Sequence, residues 1–431
     1  MAVTAILEQL HLKRIWRKLT HSIGFIPVIM GLCGVLTAYL LGFLEDWGIS
    51  RFLNENFESV LIRSAGTATS VMTYLAGGII SIMVFSFSMV MLLLNQASSN
   101  FSPRVLPGLI SVKKHQYIIG NFLFSLLFIT FVAVKIKPND DTYELPGFSM
   151  LVGIVLTVNC LFSFIYFIDS ISKAIQIDNI LKNIRRLVIQ SIKSDSAMRS
   201  DHGSFETGPD WKVYTSEEFG YYKGINQEAM LNLSKEHHFQ IAFLAYQGKY
   251  ISPGEALFSC SKALEKEVIA SVRHNIYINL DPEDVMENYV YGFKQVAEVG
   301  VRAMSPGVND PATAMTTIDY LSEFFCLILP LDTLKFLEKD DYVGVSLHVI
   351  SFGELLSELM MEYRMYCKGD VIVSQKLVLM LQQISKHPDC TESHKAILKE
   401  ELEKLLFDVE KSIENPKDLE SIRGIIRLGI H

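Results

Sequence analysis

Apolar positions crowd the chain before Ile171 and thin out after it, and the first part holds four runs free of interior charge. Runs of that length predict membrane-spanning helices near 22–44, 68–94, 117–134 and 148–168. About twenty apolar residues rising ~1.5 Å each cross the ~30 Å of bilayer hydrocarbon. The second run is the longest, with no charged residue from Ser64 to Pro103. Its apolar core of about 27 residues reaches roughly 40 Å, so this helix is expected to tilt or to project beyond the bilayer. A seam of small and polar residues runs along it. Tyr74, Ser81, Ser88, Asn95 and Ser102 recur every seven residues, Gly77 and Gly78 lie near the same face, and Ser99 falls in the polar stretch at the end. Such a stripe on an apolar helix fits close helix packing in lipid or a wetted surface.

Beyond the spans the periodicity changes twice. Ile175, Ile180, Ile184, Leu187 and Val188 keep helical spacing and predict a helix running on from the fourth span, followed by a Ser/Gly/Asp-rich loop, so that 171–210 reads as a linker. From 211 to 280 the texture is that of strands: Phe239 to Tyr246 alternates, Gly248 marks a turn, and Val272 to Ile278 is a further strand-like run. Pro253-Gly254 suits a type II turn. The phrase from Gly248 to Leu257 is similar to the hairpin of lipoyl-type barrel sandwiches, without their central lysine. From 281 to 431 the pattern is helical. Asp281 and Pro282 suit an N-cap and first helical position, a turn follows at Ser305-Pro306-Gly307, and Asp310-Pro311 repeats the cap device. Further helices are predicted near 341–367, 371–386, 392–412 and 416–428, the last capped by Asn415. The predicted fold class is a multi-pass α-helical membrane bundle over 21–170, then an α+β region made of a small barrel-sandwich-like β domain and a helical domain.

Composition changes this picture little. A length of 431 residues leaves room for a bundle and a substantial soluble part. The net charge of −8 and the absence of a basic, aromatic-rich block argue against a nucleic-acid partner. Six scattered cysteines with no CxxC or Cys/His spacing predict free thiols in a reducing compartment, with no disulfide framework and no metal site. No cofactor motif is present. Basic residues add orientation: Lys13, Arg14, Arg17 and Lys18 lie in a basic amphipathic segment over 1–20 that either flanks the first span or rests on an anionic membrane surface. Arg104, Lys113 and Lys114 sit between spans two and three, and Lys173, Lys182, Arg185 and Arg186 follow span four. This distribution predicts that both termini are cytoplasmic.

Three stretches carry a resemblance: Phe85-Ser-Phe-Ser-Met-Val90, Ala97-Ser-Ser-Asn-Phe-Ser-Pro-Arg104, and Arg302-Ala-Met-Ser-Pro-Gly-Val-Asn-Asp-Pro-Ala-Thr-Ala314. Together they resemble the bacterial membrane family labelled domain of unknown function 2254, with Asn100 where the family more often has Gln and Met304 where it has Leu. The resemblance implies a bacterial inner-membrane protein with several amino-terminal spans and a carboxyl-terminal soluble part. It implies no activity, cofactor or substrate.

Two features carry candidate chemistry. In the motif holding Arg302, Ser305, Pro306, Gly307, Asn309, Asp310 and Pro311, a turn feeds a helix N-terminus. Exposed amides there suit an anion with Arg302 as counter-charge; equally, the turn is a corner fixed by Pro, Gly and caps, with Asp310 filling the amides itself. The seam of Tyr74, Gly77, Gly78, Ser81, Ser88, Asn95, Ser99 and Arg104 packs helices or lines an aqueous path. Glu298 and Arg302 are spaced to pair, Asp319 and Glu323 read as a solvated acidic face or a cation ligand, and His237-His238 as surface histidines. Four spans enclose little volume, so a pore requires a homo-oligomer, with the lipid bilayer and ions or small solutes as the other partners. The expected function is an oligomeric inner-membrane channel or channel-like transporter. A membrane-anchored scaffold or signalling protein without a path is the alternative, and an enzyme acting on lipid or envelope substrates ranks last because no catalytic constellation is visible.

Overall fold

The computed structural model describes residues 24–50, 52, 62, 64–100, 113–136, 145–174, 176–197, 204–280, 288–331, 333–340 and 342–429. The basic segment 1–20, Ser102, Arg104 and the Asp281-Pro282 pair lie outside them. The four uncharged runs form α1 (Phe25–Asp46), α2 (Ala65–Asn100), α3 (Lys113–Lys135) and α4 (Gly147–Ala174). Each contains a stretch long and apolar enough to cross a membrane. The chain divides into two compact units, one holding these helices and the other the chain from Ile177 onward.

In the first unit α1 and α3 approach most closely. Gly31, Gly34, Ala38 and Gly42 are buried along one face of α1. A Cβ at Gly34 would strike the Phe124 carbonyl oxygen, one at Gly31 would lie 3.0 Å from the Leu123 side chain, and one at Gly42 would strike the Lys135 ammonium. From the other side, Gly120 of α3 makes room for Met30. Small residues let the backbones meet and gather dispersion contacts that lipid cannot supply. Glu45 then ties α1 to α4. Its carboxylate accepts from the Ser149 amide at 2.7 Å, the Ser149 hydroxyl at 2.8 Å and the Ser50 hydroxyl, while the Ser50 oxygen accepts from the Phe148 amide at 2.8 Å. The first amides of a helix lack partners within it, and a carboxylate suits their partial positive charge. Glu45, which in sequence only terminates a span, therefore caps α4.

The second unit opens with α5 (Ile177–Ala197). A continuous helix from span four was expected; instead α4 ends at Ala174 and α5 begins at Ile177. α5 buries Ile180, Leu181, Ile184, Val188 and Ile192 on one face. There follow β1 (Lys212–Thr215), β2 (Gly220–Ile225), α6 (Gln227–Glu236), β3 (Ile241–Phe243), β4 (Tyr250–Ile251), β5 (Ala256–Cys260), α7 (Lys266–His274) and β6 (Ile276–Asn279). After them come α8 (Tyr289–Ala303), α9 (Pro311–Ile328), β7 (Leu334–Lys339), β8 (Tyr342–His348), α10 (Phe352–Cys367), α11 (Val371–Ser385), α12 (Glu392–Ser412) and α13 (Pro416–Gly429).

Five strands form one sheet in the order β1-β5-β3-β8-β7, and three form another in the order β4-β2-β6. Gly254 takes the positive φ of +87° that the Pro253-Gly254 turn was expected to need. The strands on either side of that turn do not pair with each other: β4 joins β2, and β5 joins β1 and β3. Two corrections concern the carboxyl-terminal stretch. The helix expected from 341 begins only at Phe352, because Tyr342–His348 is a strand lying parallel to β3, with Ile241 opposite Val345. The helix that reaches Ala303 starts at Tyr289, where the Asn288 side chain caps it by accepting from the Val290 amide at 3.0 Å. Other ends follow ordinary capping chemistry. Ser351 and Glu354 form a capping box on α10, Asp370 caps α11, and Asn415 accepts from the Lys417 amide at 3.1 Å before α13. Where α8, α9 and α10 meet, the Thr317 and Tyr363 hydroxyls bond at 2.7 Å. Gly300 has no side chain there because both oxygens occupy the space a Cβ would need.

Candidate functional site

The seam of α2 lies open. Tyr74 is 80 % exposed, Ser81, Ser88 and Asn95 are exposed, and a Cβ built on Gly77 or Gly78 would meet no atom within 4 Å. Ser99 falls in the last turn of α2, and its side chain lies outside the described residues, as does Arg104. The helix packs inside its own chain through other positions. Ala68, Met72 and Ile79 are fully buried, and Ser86 is nearly so. The glycines of the seam therefore do not serve close packing within the chain, which was one of the two readings open from sequence.

Nor do the hydroxyls of Ser81 and Ser88 reach outward. Ser81 donates to the Gly77 carbonyl at 2.9 Å and Ser88 to the Val84 carbonyl at 3.0 Å. Thr69, Ser70 and Thr73 behave in the same way toward carbonyls four residues back. This back-bonding satisfies each hydroxyl inside an apolar medium. Asn121 of α3 bonds across helices instead, donating to Asn159 at 2.8 Å and to Ser163 at 3.1 Å, both on α4.

The Arg302–Ala314 motif forms the corner between α8 and α9. The Ser305 carbonyl accepts from the Val308 and Asn309 amides at 3.0 Å each, so Pro306 and Gly307 stand exposed at the tip. Asn309 adopts a φ of +48°, a left-handed conformation that asparagine tolerates better than most residues. The Asp310 amide returns to the Ala303 carbonyl at 2.7 Å, closing the corner. Asp310 then caps α9, accepting from the Thr313 amide at 3.2 Å and the Thr313 hydroxyl at 2.6 Å, with Pro311 in the first turn. Arg302 sits half-buried in the last turn of α8.

Other sequence candidates resolve individually. Asp319 and Glu323 do not form a joint site: Lys376 of α11 pairs with Asp319 at 2.5 Å, and Arg185 of α5 pairs with Glu323 through two bonds of 2.5 Å. His237 and His238 are not on a strand, although 211–280 as a whole reads as strand-like in sequence. His237 is the C-cap of α6, and His238 follows it at a φ of +51°. Among the described residues, no group of three or more His, Cys, Asp or Glu is placed to hold a metal ion. Sequence reasoning missed the α1 stripe and the Glu45 cap. The spacing of Gly31, Gly34, Ala38 and Gly42, three then four and four, was a readable signal for the first.

These features define a membrane protein whose four apolar helices precede a mixed helical and sheet unit. The chain belongs to the family described as predicted membrane protein, domain of unknown function 2254, whose model matches residues 20–383. It is 22 % identical over 269 residues to an uncharacterized protein of Mycobacterium bovis and, to the same degree, to one of Mycobacterium tuberculosis. In both cases the match covers 60 % of this chain and 51 % of the relative, so the chain spans about half the length of the curated relatives it matches. No solved structure matches.

Proposed function

We propose that this protein is an oligomeric channel, or channel-like transporter, of the bacterial inner membrane. In this reading α2 lines or gates the path for ions or small solutes. The unit beginning at Ile177 lies in the cytosol, as do both termini, and assembles or regulates the oligomer without enzymatic activity. One observation carries the reading. The second span presents Tyr74, Gly77, Gly78, Ser81, Ser88 and Asn95 to the outside of its own chain, beside exposed apolar residues such as Val84 and Phe87, while Ala68, Met72 and Ile79 are turned inward. Neutral small and polar groups on an outward face are what copies of a helix around a shared aqueous path would present to it.

A second reading, a membrane-anchored scaffold or signalling protein without a path, draws on the back-bonded hydroxyls of Ser81 and Ser88, which need no water. Reconstitution of the purified protein in planar bilayers separates the two. Currents whose conductance or ion preference changes in Ser88→Asp support the channel. A folded oligomer that stays silent in both forms favours the scaffold.

A further inference from the structure

In the unit that begins at Ile177, a cavity of about 110 Å³ opens between the end of α5 and the two sheets. Its lining includes Ser194 and Asp195 of α5, Tyr222 of β2, Lys335 of β7, His348 at the end of β8 and Ile350 just beyond it. Lys335 is only 3 % exposed, although a lysine is rarely buried this far. Its ammonium donates to Asp195 at 2.7 Å. An ammonium has three N–H groups, and this carboxylate takes one of them. Tyr222 is 2 % exposed, and its hydroxyl is buried with no hydrogen-bond partner among the described residues. Burial pushes the phenol upward from its ordinary range, so the hydroxyl remains a proton donor.

Tyr222 and Lys335 both line this cavity, and the Tyr222 hydroxyl has no acceptor among the described residues, whereas buried polar groups are ordinarily satisfied. The volume compares with the ~150 Å³ cavity that holds a benzene ring, which leaves room for a solute of about five or six heavy atoms. Nucleotides and sugar phosphates are too large. Asp195 already neutralises Lys335, so a dianion would be repelled where a single negative charge, shared between two donors, would not. Leu347, Val290 and Ile350 add apolar wall for a short alkyl group.

We propose that this cavity is a binding site for a short monocarboxylate of two or three carbons, one oxygen accepting from Lys335 and the other from Tyr222. The test is isothermal titration of the full-length protein in detergent with propionate, and with propionamide and inorganic phosphate as comparison probes. Propionate is expected to bind the wild-type protein, with propionamide and phosphate at least about tenfold weaker, since a charged acceptor strengthens each hydrogen bond. Tyr222→Phe is expected to bind propionate about tenfold more weakly while unfolding at the same temperature or higher, because the lost hydroxyl had no protein partner. The paired change Lys335→Gln with Asp195→Asn, which strands no charge, is expected to abolish binding. Absence of propionate binding in the wild-type protein, equal affinity for propionamide, or undiminished affinity in Tyr222→Phe would each overturn the assignment.

Discussion

Two stripes of small residues run along successive membrane helices of this chain, and they do opposite things. On α1, Gly31, Gly34, Ala38 and Gly42 are buried where α3 comes close enough for the Phe124 backbone to occupy the space of a side chain. On α2, a Cβ at Gly77 or Gly78 would meet nothing within 4 Å among the described residues, and the adjoining serines bond back to their own helix. Both stripes obey the same helical periodicity. A small residue marks a close approach only when something approaches, and the identity of the approaching group is written in another part of the chain. For α1 that group is Leu123, Phe124 and the space left by Gly120.

The largest expected effect breaks the first stripe. Gly34→Leu drives a side chain into the Phe124 backbone and should cost about 3 kcal/mol or more, since neither backbone can yield without separating the helices. Unfolding of the purified protein in detergent, followed by far-ultraviolet circular dichroism, measures it. Wild-type stability would mean that α1 and α3 do not meet at this glycine. Gly300→Val transfers the same logic to the second unit. It should cost about 1–3 kcal/mol by displacing the Thr317 and Tyr363 hydroxyls, and hydrogen exchange in α8 and α9 would report it.

A change of pH then distinguishes the second unit from the glycine stripes, which hold no titrating group. His394 occupies the third position of α12, where its Nδ1 accepts from the Thr391 amide at 3.4 Å, and partial burial against Phe352 lowers its pKa. A protonated ring cannot accept that bond, so the unfolded chain takes up the proton more readily than the folded one. Stability is therefore complete above the ordinary histidine pKa of about 6.5 and declines as the pH falls below it. His394→Gln keeps a capping-box acceptor and should flatten the slope between pH 7.5 and 5.5 in thermal melts. The smallest effect is expected at the second stripe. Gly77→Leu and Gly78→Leu should each leave the isolated protomer within ~0.5 kcal/mol of wild type, because nothing stands in the way. A larger loss, seen together with a change in oligomeric mass, would make this face a contact between copies.

The four apolar helices were legible because each is specified locally, by an uninterrupted run of apolar residues that no soluble fold needs. Capping chemistry was legible for the same reason: Asp310 and Asn415 act on amides within three residues of themselves. What escaped was non-local. Glu45 caps a helix that begins at Gly147, and nothing near Glu45 announces it. β8 lies where a helix from 341 was expected, yet it fills an interior place in the sheet, and Lys335 of β7 is buried and paired with Asp195 of α5. The direction faced by the α2 seam was equally hidden, since periodicity defines a face without saying what lies opposite.

The parallel pairing of β3 with β8 also has a consequence for how the chain is made. Phe243 must wait for Leu347 to leave the ribosome before that side of β3 has a partner, and by then the helices from α7 to α9 have already emerged. Until that moment β3 and β5 form a sheet with a bare edge, the kind of surface that recruits foreign strands. Closing so long a loop is slow compared with forming the local helices around it. During synthesis, then, the second unit is most exposed to mispairing in the interval between β5 and β8, and a transcript cut short in that interval would yield a chain with a permanently open sheet.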